Sequence, residues 1–109
     1  MASHKIRKHL SYIEYLAGTS PAEREEQING MKSGTLKFLI NLILNVVFKK
    51  VEISDKCKTE LREHRPIIEK LIGKNKSLKT RRGILKSDDT FKTLFDLLLP
   101  DLRKIVLQK

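Results

Sequence analysis

The stretch KNKSLKTRRGILK, from Lys74 to Lys86, holds six basic residues in thirteen and no carboxylate. Cationic side chains gathered without counter-charge suit one task, the uptake of phosphate or another polyanion, with lysine as a point charge and arginine as a planar fork. On a helix turning 100° per residue, Lys79, Arg82 and Lys86 share one strip. Leu78 and Leu85 fall beside it as anchors, Gly83 leaves room for a phosphate backbone, and Lys74, Lys76 and Arg81 flank it. A solvated helix face is the plainer alternative, and part of the signal fits a nuclear-localisation cluster. A second basic group, Lys5, Arg7 and Lys8 with His4 and His9, lies near the start of the chain. Cations in a first helical turn oppose the helix dipole, which favours an anionic partner there.

Other chemistries find little support. Cys57 and His64 lie seven apart on one predicted helix face, but two ligands do not make a zinc site, and a buried thiol with a core or boundary histidine is the better reading. There is no glycine-rich phosphate loop, no nucleophile elbow and no carboxylate cluster for a hard metal, so no catalytic residue, metal or cofactor is expected. A helix-turn-helix around Gly73 is disfavoured by Glu69, where a small residue belongs, and by a basic residue at the apolar position of the second helix.

These groups need a scaffold. The chain has 109 residues, 39% apolar and 33% charged, which suits one globular domain spanning 1–109. Its net charge of +10 favours anionic partners without bearing on fold, and its one cysteine suits a reducing compartment. No secretory leader is apparent, and the run from Leu39 to Phe48 is too short to span a membrane.

Ile6, Leu10, Ile13 and Leu16 define a first helix that Gly18 is placed to end in a left-handed conformation. Ser20, Pro21 and Glu23 predict a capping box for a short polar surface helix ending at Gly30. Residues 35–48, apolar nearly all round, predict the central helix, with Asn41 at least on its wet side. Ser54 starts a fourth helix in which Pro66 predicts a kink in preference to two shorter helices. Ser77 caps the basic helix, and Asp88 with Asp89 opens a last one that Pro100 should bend or break. The expected fold is all-α, a compact bundle of five or six helices.

The strings HLSYIEYLAGTSPAEREEQI, LILNVVFKKVEIS and LREHRPIIEKLIGKNKSLKTRRGIL, in this order, resemble the small basic proteins of Polinton (Maverick) elements and the related adintoviruses. The shared pattern covers roughly Leu10 to Leu85 and maps to Ser20, Pro21, Arg24, Asn45 and Lys74 through Leu85. Such proteins typically continue into a Gly-Gly-Phe and a small-residue apolar tail, whereas this chain has SDDTFKTLFDLLLP. The resemblance implies a virion core or accessory protein that packages DNA, in a nucleus or virion-like particle.

Two functions follow as expectations. One is non-enzymatic nucleic-acid binding by phosphate contacts from Lys74, Lys76, Lys79, Arg81, Arg82 and Lys86, with Lys5, Arg7 and Lys8 as a secondary patch. Six neutralised phosphates would give a log–log salt slope of about −5 on duplex DNA. The other is a helical interaction module, adaptor-like, that docks a protein partner or self-associates, and an exposed apolar groove would favour it.

Overall fold

A computed structural model describes residues 3–48, 53–73 and 76–107. Among them are seven α-helices: α1 (Ser3–Gly18), α2 (Pro21–Gly30), α3 (Ser33–Val47), α4 (Asp55–Arg62), α5 (Arg65–Ile72), α6 (Leu78–Lys86) and α7 (Thr90–Leu107). A 3-10 turn, Ser87–Asp89, joins the last two, and no strand occurs among the described residues. The bundle is all-α, as the hydrophobic periodicity predicts.

Three helices start as their local sequence dictates. The hydroxyls of Ser20, Ser54 and Ser77 accept from the amides of Glu23 at 3.2 Å, Cys57 at 3.2 Å and Thr80 at 3.1 Å. Each such cap contributes about 1 kcal/mol. The Glu23 carboxylate does not complete a box, because Tyr15 Oη and Gln27 Nε2 donate to it instead.

One core joins the helices. It takes Ile6, Ile13 and Leu16 from α1, Ile28 from α2, Leu71 from α5 and Leu85 from α6. The stacked Phe91 and Phe95 of α7 lie in it, with ring centroids 4.4 Å apart. α3 buries Leu36, Leu39, Ile40, Leu42, Ile43 and Val46. Its Asn41 is exposed, and half-buried Asn45 donates to the Asn41 carbonyl at 2.8 Å, so neither amide enters the core. α1 and α7 run antiparallel: Arg7 reaches the Val106 carbonyl at 2.9 Å, Arg103 holds Glu14, and Lys92 reaches the Ala17 carbonyl at 3.0 Å.

Helix ends depart most from expectation. No described glycine adopts a positive φ, so neither Gly18 nor Gly30 makes a left-handed cap. Long cationic side chains take up the terminal carbonyls instead. Arg24 of α2, 2% exposed, donates from Nε to the Leu16 carbonyl at 2.7 Å and from Nη2 to the carbonyls of Ala17 and Thr19. Its Nη1 pairs with Asp89, the one described non-glycine residue in the left-handed region, at φ 58°. At an N-terminus the sign reverses: buried Asp101 of α7 accepts from the amide and hydroxyl of Ser54, the residue that caps α4. Opposite charge at a helix end is the favourable arrangement.

Pro66 and Pro100 behave unlike each other. Pro66 ends the expected fourth helix outright instead of kinking it, since it sits in the first turn of α5 and cannot tolerate the Arg62 carbonyl in a continuing helix. α4 then packs on α7, whereas α5 packs on α3 and α6, so different partners fix the two segments. Pro100 leaves α7 unbroken because it lies on the exposed side, where solvent can serve the freed carbonyl of Asp96.

Arg24→Met should cost on the order of 3 kcal/mol, since it strands carbonyls at the end of α1 together with Asp89. For a domain of this size that lowers the Tm by more than about 10 °C in a thermal melt. Arg24→Lys should recover only part of the loss, because an ammonium cannot reach three carbonyls and a carboxylate at once.

Candidate nucleic-acid interface

Because helix ends attract charge in this bundle, each cation has to be sorted by what it touches. α6 packs against α2, α3, α5 and α7, so the basic helix is built into the scaffold. Leu85 is fully buried and Leu78 packs half-buried on the core, as their spacing predicts.

The strip of Lys79, Arg82 and Lys86 does not present three open charges. Arg82 Nη1 donates to the carbonyls of Ile28 at 2.7 Å, Asn29 at 3.3 Å and Met31 at 2.7 Å, closing the end of α2. Lys86 Nζ donates to Asn29 Oδ1 at 2.8 Å. Exposed Glu25 lies one turn before Asn29 on α2, a carboxylate on the same side of that helix.

Arg81 donates to the Gly73 carbonyl at 3.0 Å, and its buried Nε meets no acceptor among the described residues. Lys76 Nζ donates to the Lys70 carbonyl. Both therefore serve the end of α5. Gly73 allows this close passage: a Cβ there would lie 3.2 Å from the Glu69 carbonyl oxygen and 3.4 Å from Lys76 Cε. Lys79 is exposed and makes no such contact among the described residues, and Lys74 lies outside the described residues. Of the six residues, Lys76, Arg81, Arg82 and Lys86 hold helices together, and Lys79 faces water.

The secondary patch fares differently. Lys5, Arg7 and Lys8 are all exposed. The contacts Arg7–Val106 and Arg103–Glu14 lay the start of α1 beside the end of α7, which brings exposed Arg103 and Lys104 to the same end of the molecule. Arg103 Nε and Nη2 both meet Glu14 Oε2, at 3.0 and 2.9 Å, which leaves Lys5, Lys8 and Lys104 as the lysines there without an ion pair among the described residues. Sequence reasoning passed over Lys104 because only the tertiary pairing of the first and last helices brings the end of α7 to the end of the molecule where α1 begins. His9 is committed elsewhere, stacked on Phe38 with centroids 4.0 Å apart.

Cys57 and His64 do not share one continuous helix face, because the chain breaks between α4 and α5 and His64 sits at the break. Cys57 is buried and its Sγ donates to the Leu97 carbonyl at 3.3 Å. Burial, then the nearby Asp101 carboxylate and Glu60, push its thiol up to about 12. No cluster of three or more His, Cys, Asp or Glu suited to a metal occurs among the described residues. No helix among them is long and apolar enough to cross a membrane. Compared with family models, curated proteins and solved structures, the chain matches none.

Arg82→Ala should cost about 1–3 kcal/mol in urea or thermal denaturation, because it removes the side-chain donor from the carbonyls of Asn29 and Met31 and leaves that of Ile28 with the Met31 amide alone. Lys79→Ala should stay within about 0.5 kcal/mol. The thiol gives a pH signature of known sign. Below its ordinary value near 9 it is protonated whether folded or not, and between there and about 12 only the unfolded chain releases the proton. Stability should therefore fall as pH rises through that window, and Cys57→Ala should flatten that part of the profile.

Proposed function

We propose that the protein binds nucleic acid non-enzymatically through backbone phosphates, with little sequence preference, using the pole where α1 begins and α7 ends. The observation that carries this reading is the division of the cations. Arg81 and Arg82 on α6, with Lys76 just before it, close helix C-termini, where the fold gains from them, whereas Lys5, Lys8 and Lys104 make no ion pair among the described residues. Lys5 also stands in the first turn of α1, where the dipole makes a cation mildly unfavourable. A charge the fold does not use is better accounted for by an external anion. No Phe, Tyr or Trp occurs in residues 3–9 or 101–107 to stack on bases, which supports contact with the sugar-phosphate backbone. The resemblance to the small basic proteins of Polinton-type elements supports a packaging setting, in a virion-like particle or a nucleus.

Three neutralised phosphates give a log–log salt slope of about −3 on duplex DNA, distinct from about −5 if all six residues of the 74–86 stretch took part. Titrating random-sequence duplex DNA over a range of salt concentrations separates the two. Lys5→Glu, Lys8→Glu and Lys104→Glu together should abolish binding with little change in Tm, while Lys79→Glu should leave most of it. Retained affinity in the triple variant would reject the pole. Absence of binding by the native chain at low salt would reject nucleic acid altogether.

A further inference from the structure

We infer that the apolar groove between the end of α3 and the α4–α5 elbow docks an acidic amphipathic helix of a partner protein. The groove encloses about 440 Å³, within the range of sites that bind ligands. Val46 and Ile68 form its buried floor, and Leu61 and Ile72 line it from the two sides of the break. Phe48 stands at its edge 63% exposed and Val47 38% exposed, so two adjacent apolar side chains face water at one place. Continuous apolar surface open to water is the usual mark of an interaction site.

The rim selects the occupant. Lys58, Arg62 and Arg65 border the groove against one carboxylate, Glu69, which Arg65 already holds at 2.7 Å. Lys58 has only a loose 3.9 Å contact with exposed Asp55, and Arg62 is exposed with no acidic partner among the described residues. An apolar floor inside a cationic rim complements a helix with apolar anchors at i, i+4 and i+7 and carboxylates on its flanks. A second copy of this chain would bring two cationic rims together, and a phosphate backbone has nothing to bond to on an apolar floor. This inference is independent of the phosphate-binding pole, which lies on other elements.

The probe is a synthetic helix of about 15 residues with leucine anchors and glutamate flanks, beside a control carrying lysine for glutamate. Binding is followed by anisotropy and by amide shifts of the labelled protein. Saturable binding of the acidic peptide, with shifts confined to residues 46–48, 53 and 58–72, is the expected result. Phe48→Ser and Arg62→Gln, both at exposed positions and changing the Tm little, should each weaken it about tenfold. Equal binding of the lysine peptide, shifts centred on the α1–α7 pole, or no saturation in the millimolar range would overturn the inference. Concentration-dependent dimerisation that produces the same shifts without peptide would overturn it in favour of self-association.

Discussion

The last carbonyls of each α-helix have no partner within the helix, and this bundle answers that constraint with charge drawn from elsewhere in the chain. Arg24 is the central case. Its guanidinium gathers the end of α1, while its own helix and the turn at Asp89 are held by the same group. Arg82 does this for α2, Arg81 and Lys76 for α5, and Arg7 for α7. A left-handed glycine would close one helix locally. A borrowed cation closes it and also fixes where two or three elements sit relative to one another. The orientation of the bundle thus depends on polar groups at its seams as much as on its apolar interior.

What the sequence reveals follows the range of each interaction. The serine caps at Ser20, Ser54 and Ser77 are legible because donor and acceptor lie three residues apart. The apolar periodicity of α1, α3 and α7 is legible because burial repeats with the helix turn. The burial of Arg24 is not, since an arginine among EREEQI reads as one more surface charge. Arg82 likewise meets acceptors more than fifty residues away. Pro66 was visible as a disruption, but whether it kinks or ends a helix is decided by the separate partners that α4 and α5 find.

The same division shapes the functional reading. A count of lysines and arginines treats every cation as available to a ligand, yet Arg81 and Arg82 on α6 are turned onto backbone carbonyl oxygens. Carbonyls carry no formal charge, so the net value of +10 is untouched by these contacts and does not say which cations are open to a ligand. The α1–α7 pole and the apolar groove lie on different elements of the bundle.

The antiparallel pairing of α1 with α7 has a consequence for how the molecule assembles. Its contacts join residues 75 to 99 positions apart, Lys92 with Ala17 and Arg7 with Val106. Closure of such a long loop comes late and slowly, because chain entropy must be lost before any contact repays it. A ribosome releases the first helix long before its main packing partner exists, so Ile6, Ile13 and Leu16 must wait on an unfinished surface. α7 is synthesised after α1 and seals it, and until α7 emerges the nascent chain carries an exposed apolar stripe that a chaperone can hold.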